Sequence, residues 1–272
     1  MPRHPPRPIP GGYGLIQANV NHSHHAQELL QQSMVGWGFT LAIVAEPHRP
    51  PRDGRSFWAV DNGAAGDSVA KRWRSVPGGP DTTAITSGER HVAVQWGPIA
   101  VVGVYLRPTR RPAPFEDWLS DIGQTVLSLR PVLVAGDFNA WHASWGSRRD
   151  NEKGRVLHEW AVTHGLVLLN EDRTSTCVRT QGESIVDITW ATPSAARLVT
   201  GWRVEEGTES LSDHRYITVE FGALSPVRRQ EVRPRWALKK LHEDALMASL
   251  EAACWVRGDL PETREMDPLR EA

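Results

Sequence analysis

Short apolar runs alternate along this chain with amphipathic segments of helical period. Apolar residues that are continuous or in alternation predict strands, and apolar residues recurring every three or four positions predict helices. The predicted strands span 13–20, 39–46, 82–87, 91–96, 99–105, 131–136, 166–169, 184–190, 201–206 and 216–221. The predicted helices span 22–36, with Asn21 or Ser23 as N-cap, 113–129 and 154–164. Strands separated by helices in this way predict an α/β fold.

Two stretches between these elements are less regular. Residues 49–79 are rich in Gly, Pro and Arg and predict loops and edge hairpins, with a weak strand near 57–60. Their basic residues form either a solvated face or a phosphate-facing surface. They are Arg49, Arg52, Arg55, Lys71, Arg72 and Arg74. Residues 174–183 are polar and contain glycine, which predicts a protruding hairpin.

Changes in composition divide the chain into four parts. Residues 1–12 are Pro-rich and predict a flexible lead-in without the apolar stretch of a secretory signal. Residues 13–222 carry the predicted strands and helices. Residues 223–235 are rich in Arg and Pro and predict a linker, and 236–272 predict a helical segment that leads towards a further domain.

Bulk properties exclude some classes and leave others open. No apolar run approaches the length of a membrane span. The 31 basic and 32 acidic residues give a formal net charge of −1, so there is no global basic signal for nucleic acid, although a local basic face beside an acidic site would cancel in this sum. The two cysteines, Cys177 and Cys254, fit no metal motif and indicate a reducing compartment, the cytosol or the nucleus.

Polar residues follow several buried strands at the point where each strand ends. Asp137 and Asn139 come after the strand 132–135 and Gly136, and Glu46 ends the strand 39–46. Asn19 and Tyr105 end two further strands. Open α/β sheets bind ligands beyond the carboxyl ends of their strands, so these groups are expected to converge. The alternatives are a solvated Asp-X-Asn turn at 137–139 and a half-buried tyrosine at 105.

Three further groups complete a possible hydrolytic site. Asp187 lies within the strand 184–190, and Asp213 and His214 precede the last strand. Carboxylate oxygens suit a hard cation such as Mg²⁺, and a carboxylate can orient an attacking water. A histidine held by an aspartate supplies positive charge for a pentacovalent phosphorus. This set is chemically complete for metal-assisted phosphodiester hydrolysis.

The order and spacing of these motifs resemble the exonuclease–endonuclease–phosphatase superfamily. The resemblance covers about residues 13–222 and rests on Ala-Glu-Pro at 45–47, Gly-Asp-Phe-Asn-Ala at 136–140 and Ser-Asp-His at 212–214. The strand 184–187 with Trp190 also matches. Asn21, His142, Trp-Gly-Ser at 145–147 and Gly-Trp-Arg-Val at 201–204 point to the apurinic-type endonuclease domain of non-LTR retrotransposons, with the site-specific elements of arthropods as the nearest likeness.

The resemblance implies a DNase I-like fold, a four-layer sandwich of two sheets and flanking helices with the site at one end. It also implies a role for each site residue. Glu46 would hold Mg²⁺ or Mn²⁺ with Asn19 alongside, and Asp213 would contribute to the metal site or its surroundings. Asp137 would activate the attacking water. Asn139 and Tyr105 would contact the scissile phosphate, and Asp187 would orient His214, which stabilises the transition state.

The same resemblance implies a partner and a product. A nick in double-stranded DNA would leave a 3′-hydroxyl that primes a reverse transcriptase domain further along the same polyprotein, in the nucleus. Arg179 and Gln181 on the predicted hairpin, with Ser212, would contact the DNA; the alternative is a solvent-facing hairpin. One departure weakens a reading as an abasic-site repair enzyme, because Asn21 stands where repair enzymes carry an aspartate. The competing hypotheses are an inositol-phosphate or phospholipid phosphatase of the same superfamily and a catalytically inactive DNA-binding relic.

Overall fold

The computed structural model describes residues 12–52, 57–63, 68–108 and 113–222. Two six-stranded sheets and a separate hairpin make up its strands. In chain order they are β1 (Tyr13–Asn19), β2 (Leu41–Ala45), β3 (Trp58–Val60), β4 (Val69–Trp73), β5 (Thr82–Ser87), β6 (His91–Trp96), β7 (Ile99–Tyr105), β8 (Val132–Asp137), β9 (Val167–Leu168), β10 (Cys177–Arg179), β11 (Gly182–Ser184), β12 (Asp187–Ala191), β13 (Val199–Val204) and β14 (Ile217–Phe221). The helices are α1 (His24–Gly36), α2 (Ala113–Ser128), α3 (Glu152–Thr163) and α4 (Pro193–Ala196), with a 3₁₀ turn at Ala143–Trp145.

Each sheet mixes parallel and antiparallel pairs. The first sheet has the strand order β13-β14-β1-β2-β4-β3, and the second has the order β5-β6-β7-β8-β12-β9. The parallel pairs are β1 with β2 in the first sheet and β7 with β8 in the second. The α/β class and the two-sheet, DNase I-like sandwich predicted from the sequence are confirmed.

Three apolar clusters show how the layers stack. Residues from both sheets, among them Leu15, Ile43, Val101 and Leu133, form one cluster between the sheets. A second cluster packs α2 and α3 against the outer face of the second sheet. A third packs α1 against the outer face of the first sheet. Burial of apolar surface on both faces of each sheet thus produces the four expected layers.

A line of polar contacts crosses the apolar layer between the two sheets. The Gln17 amide of β1 donates to the Gly136 carbonyl of β8 at 3.0 Å. The Thr189 hydroxyl of β12 donates to the Gln17 amide oxygen at 3.3 Å and accepts from the Trp202 indole of β13 at 3.0 Å. We call this set the inter-sheet seam. Because buried polar groups are expensive to leave unpaired, the seam favours one relative position of the two sheets.

The sequence prediction missed one interior strand, β4, within the stretch predicted as loops. β4 pairs with β2 on one side and β3 on the other. The prediction of a basic surface there was wrong for Lys71, which is fully buried between the sheets. Its Nζ donates to the Val101 carbonyl, and Gly103 makes room, because a Cβ there would lie 3.0 Å from the Lys71 Cε atom. A lysine inside a strand of this kind is read from sequence as a surface residue.

The described residues end at 222, and the chain divides into two units, 1–227 and 228–272. The predicted lead-in up to residue 11, the linker and the helical segment 236–272 lie outside the described residues. Within the described ranges, no helix is long and apolar enough to cross a membrane.

We expect Lys71→Met to stabilise the fold near neutral pH by about 1–4 kcal/mol, the order of the gain seen when a buried ion pair is replaced by apolar residues of similar volume. Burial lowers the pKa of Lys71 well below its usual 10.5. Between this lowered pKa and 10.5, the Lys71 amine is protonated in the unfolded chain but not in the folded one. The wild type therefore loses stability as the pH falls from 10.5 towards the lowered pKa.

Urea unfolding at about pH 7 and about pH 9.5 measures the effect, and the advantage of the variant should be smaller at the higher pH. Lys153→Met, at a partly exposed lysine over the Phe115 ring, serves as the control and should change stability by less than about 1 kcal/mol. Equal effects of the two substitutions would contradict the assignment of Lys71 as an unfavourably buried amine.

Candidate functional site

The polar groups predicted at strand ends meet at one edge of the sandwich. Asn19 ends β1 and pairs in register with Ala45, the last residue of β2. Tyr105 ends β7 and pairs with Asp137, the last residue of β8. Asp187 starts β12 and, because β12 runs antiparallel to β8, it also lies opposite Asp137. Two sheets therefore deliver these side chains to a common rim.

The backbone at this rim is locally constrained. Gly136 lies so close to β7 that a Cβ there would be 1.9 Å from the Val104 carbonyl oxygen, so no other residue fits without moving a strand. Glu46 and Asn139 both have positive φ values, 48° and 47°. Non-glycine residues held in this region are strained, and such strain clusters at functional sites.

Asp137 is the buried centre of the site. Its Oδ2 accepts from the Asn19 amide at 3.0 Å, and its Oδ1 accepts from the Asn139 backbone N–H at 3.0 Å. Burial and the neighbouring Asp187 carboxylate raise the pKa of Asp137 to about 7, against the opposing effects of His214 and the two hydrogen bonds. A carboxylate with such a pKa can accept a proton near neutral pH.

Asp187 and His214 form a buried pair beside Asp137. The His214 Nδ1 lies 2.8 Å from the Asp187 Oδ2. That oxygen also accepts from the Thr176 hydroxyl at 2.7 Å. Burial disfavours a charged His214, but the charge and hydrogen bond of Asp187, with contributions from Cys177 and Asp137, raise the pKa of His214 well above its usual value. The imidazole is therefore held as a cation aimed by a carboxylate.

Glu46 lies at the more open part of the rim. Its Oε1 accepts from the Tyr105 hydroxyl at 2.6 Å and lies 3.5 Å from the His22 Nε2. The Glu46 side chain is 19% exposed. The Asn19 Oδ1 accepts only the Asn21 backbone N–H among the described residues, at 2.8 Å, and an amide oxygen has a second lone pair. Oxygen donors on a partly exposed rim fit a hard divalent cation, so Glu46 and Asn19 are suitable residues to hold Mg²⁺ or Mn²⁺.

Two overlapping groups among the described residues bring carboxylate, imidazole or thiol ligand atoms within 4.8 Å of one another. One contains Asp137, Asp187 and His214, and the other contains Cys177, Asp213 and His214. Glu46 belongs to neither group. The structure therefore places Asp213 beside His214, with its Oδ1 at 3.9 Å from the His214 Nε2.

The residues predicted to contact DNA surround Asp213. The predicted hairpin is formed by β10 and β11, with Arg179 paired in register to Gly182 and Gln181 exposed in the turn. The Arg179 guanidinium makes a short ion pair with Asp213 Oδ2, and this hydrogen bond raises the pKa of Arg179. The Ser212 hydroxyl accepts from the His214 backbone N–H at 3.3 Å, so it supports the turn that carries His214.

Sequence reasoning missed two residues in contact with the Asp187–His214 pair. Thr176 is fully buried and accepts from the Val186 and Asp187 backbone N–H groups while donating to Asp187. Cys177 is buried, its backbone pairs with His214 in an isolated bridge, and its sulfur lies within 4.8 Å of a ring nitrogen of His214. Thr176 directly precedes β10 and Cys177 begins it, in a polar stretch without a periodic pattern, so only the pairing of the strands reveals their position.

Comparison with protein families gives one match within the chain. Residues 99–218, which carry Tyr105, Asp137, Asp187 and His214, match the family described as endonuclease-reverse transcriptase. The RNA-directed DNA polymerase from mobile element jockey of Drosophila funebris is 31% identical over 109 residues, 38% of this chain and 11% of that protein. Its counterpart from Drosophila melanogaster is 31% identical over 77 residues, 28% of this chain and 8% of that protein. The chain thus spans about a tenth of the length of these relatives.

Solved structures share the fold. The endonuclease domain of TRAS1, a telomere-specific non-LTR retrotransposon, superposes with a TM-score of 0.67 at 24% identity, over 79% of this chain and all of that one. The apurinic endonuclease LMAP from Leishmania major superposes with a TM-score of 0.62 at 12% identity, over 77% of this chain and 87% of that one. At these identities the likeness supports the sandwich fold.

Proposed function

We propose that this chain, whose residues 99–218 match the endonuclease-reverse transcriptase family, is a divalent-metal-dependent DNA endonuclease domain of a non-LTR retrotransposon. It nicks one strand of duplex target DNA and leaves a 3′-hydroxyl that primes reverse transcription. The observation that supports this most directly is the meeting of Asp137 with the Asp187–His214 pair at a rim built from both sheets.

The attacking water is the first requirement of this reaction. Asp137 takes its proton, because a carboxylate with a pKa of about 7 is a competent base near neutral pH. The hydrogen bonds from Asn19 and Asn139 fix the direction of the carboxylate. The water oxygen bonds to phosphorus while the bond from phosphorus to the 3′-oxygen breaks. The 3′-oxygen takes up a proton from solvent and becomes the 3′-hydroxyl of the upstream fragment, and the phosphate stays on the 5′-oxygen of the downstream fragment.

Negative charge on the phosphoryl oxygens is the second requirement. The His214 imidazolium, aimed by Asp187, stabilises this charge as it builds up. The Asn139 amide donates one N–H to the Leu106 carbonyl at 3.2 Å and keeps the other for a phosphate oxygen. Tyr105, which lies opposite Asp137 on the neighbouring strand, supplies a hydroxyl that donates to Glu46 and can accept a hydrogen bond. A divalent cation held by Glu46 and Asn19 would neutralise charge on the phosphate and the leaving oxygen when bound.

The wider setting is part of the proposal. The matched relatives are RNA-directed DNA polymerases, which supports a reverse transcriptase domain in the same polyprotein as this chain. We place the activity in the nucleus, where chromosomal DNA is available. The jockey relatives from Drosophila support an element of arthropod type, and its site specificity is part of the same proposal.

The test is cleavage of supercoiled plasmid by the full chain with Mg²⁺, compared with the same reaction in a chelator. We expect relaxed circles only when the metal is present. A DNA polymerase should extend the nicked strand without prior phosphatase treatment, because the nick ends in a 3′-hydroxyl. Release of phosphate from inositol phosphates without nicking would favour the phosphatase hypothesis. Duplex binding without nicking, unchanged in Asp137→Ala, would favour the inactive relic.

We further propose that the β10–β11 hairpin contributes to target selection, since it protrudes beside His214 and exposes Gln181 in its turn. Gln181→Ala should reduce the preference among nick positions by about tenfold, the discrimination that one good base contact supplies, with little change in total nicking. Primer extension on a long duplex maps the positions. Gln124→Ala, at an exposed glutamine on α2, is the control and should leave the pattern unchanged. An unchanged pattern in Gln181→Ala would remove this turn residue from target readout.

A further inference from the structure

The geometry points to a second, sulfur-containing metal site made of Cys177, Asp213 and His214, which we call the thiol site. We infer that it binds a thiophilic divalent cation such as Zn²⁺ and that the bound cation inhibits the enzyme by occupying His214. The inhibitory part of this inference rests on the proposed nuclease function, whereas the binding part does not.

The donor atoms are already close together. One sulfur, one imidazole nitrogen and one carboxylate oxygen lie within 4.8 Å of one another. Zn²⁺ is bound in proteins by this combination of Cys, His and Asp ligands, at about 2.0–2.3 Å and in tetrahedral geometry, so a small inward movement completes three of its four positions. Water or a substrate oxygen would take the fourth position.

The orientation of His214 leaves the appropriate nitrogen available. Its Nδ1 is committed to Asp187 at 2.8 Å, while its Nε2 faces Asp213 at 3.9 Å. A histidine that donates one ring N–H to a carboxylate and offers its other nitrogen to a metal is the usual arrangement at zinc centres. Asp187 therefore orients His214 equally well for phosphate chemistry and for a metal at the thiol site.

The backbone holds the three ligands in place. An isolated antiparallel bridge joins Cys177 to His214, and the Val178 N–H donates to the Asp213 carbonyl at 2.7 Å. The Arg179 guanidinium forms an ion pair with Asp213 Oδ2, and the other carboxylate oxygen, Oδ1, faces the His214 imidazole. Cys177 and His214 are each 3% exposed, but the Asp213 side chain is 24% exposed, so a cation enters from the Asp213 side.

The sulfur gives this site a different preference from the rim at Glu46. Hard cations such as Mg²⁺ choose oxygen ligands, whereas thiolate selects softer ions. A soft cation at the thiol site displaces the proton from the His214 Nε2 and puts that nitrogen out of reach of a phosphate oxygen. We therefore expect Mg²⁺-dependent nicking to be inhibited by Zn²⁺ bound through Cys177 and His214, two residues to which no role in holding Mg²⁺ is assigned.

Binding is tested first, by titrating the full chain with Cd²⁺ and recording the ultraviolet band of cadmium bound to thiolate. Cys177→Ser should abolish the band at one equivalent of metal, and Cys254→Ser, which removes the other thiol of the chain, should preserve it. Loss of the band in Cys254→Ser and its persistence in Cys177→Ser would overturn the site.

A second measurement covers the case in which Cys177→Ser does not fold, which circular dichroism reports. In the wild-type chain, Zn²⁺ should slow maleimide alkylation of Cys177 by about tenfold or more, the scale of affinity changes at zinc ligands, without slowing that of Cys254. Mass spectrometry separates the two thiols. Equal alkylation of Cys177 with and without Zn²⁺ would overturn the site.

Inhibition is tested by measuring the Zn²⁺ concentration that halves the nicking rate at fixed Mg²⁺, each variant being compared with its own rate without zinc. Cys177→Ser should raise this concentration by about tenfold or more. Inhibition that is equally strong in Cys177→Ser would place the ion at Asp137, Asp187 and His214 and would overturn the thiol site as the cause. A cadmium band at Cys177 in a chain that nicks no DNA would leave the site standing and reject the proposed function.

Discussion

Asp137→Asn is expected to lower the nicking rate by about 10³-fold while the protein still folds and binds DNA, because an amide of the same shape cannot take a proton from water. The hydrogen bond from the Asn139 backbone N–H is retained by an amide oxygen. Single-turnover nicking of a plasmid measures the loss. Asp117→Asn, at an exposed position on α2, is the matched control and should retain full activity.

At pH values above 7 and without a divalent cation, Asp137→Asn should have a higher thermal unfolding midpoint than the wild type. In the folded chain the pKa of Asp137 is raised from 3.8 to about 7. Its stabilising contribution is complete below the unfolded value and is lost as pH rises through about 7, when the buried carboxyl becomes charged. Asparagine carries no such penalty. A variant that loses activity and stability together at high pH would contradict the role of Asp137 as a base kept in an unfavourable environment.

His214→Ala is expected to lower the nicking rate by about 10²–10³-fold, since it removes the cation that stabilises the phosphoryl charge. The wild-type pH profile of kcat/KM should rise near pH 7, where Asp137 loses its proton, and fall well above the usual histidine pKa, where His214 loses its own. The alanine variant should keep the rise and lose the fall. Steady-state nicking across this pH range measures both limbs.

Asp187→Asn provides the companion measurement to His214→Ala. Without the Asp187 carboxylate, the main influence that raises the pKa of His214 is gone, so the alkaline limb should move to lower pH. His25→Ala, at an exposed histidine on α1, should leave the profile unchanged. An alkaline limb that stays in place in both His214→Ala and Asp187→Asn would mean that another group carries the charge.

Most strands were predictable because their apolar pattern is strong. The strands at 82–87, 91–96 and 99–105 match β5, β6 and β7 to the residue. β4 was missed because Lys71 and Arg72 interrupt its apolar pattern, and only tertiary packing shows that the lysine stem and amine are buried. The short helix α4 follows a strand within a few residues and is too brief to show a period.

The residues of the candidate site were easier to predict from the sequence than the contacts between them. The resemblance supplied the residue set, and the strand-end argument correctly expected Asn19, Tyr105 and Asp137 to share an edge. The sequence could not show that Glu46 pairs with Tyr105, or that Thr176 and Cys177 contact the Asp187–His214 pair. These contacts join positions between 11 and 59 residues apart, and they depend on turns whose geometry has no periodic signature.

The inter-sheet seam has a consequence for how such a domain can diversify. Asn19 comes from one sheet and Asp137 from the other. Gln17, two residues before Asn19 on β1, and Thr189, two residues after Asp187 on β12, set their alignment from inside the molecule. The surface hairpins are therefore not needed to keep Asn19 and Asp137 aligned. Such a domain can exchange its DNA-contacting loops from one lineage to the next while its catalytic geometry is kept. A conservative substitution at the buried Gln17 should therefore lower the reaction rate more than a large substitution at the rim.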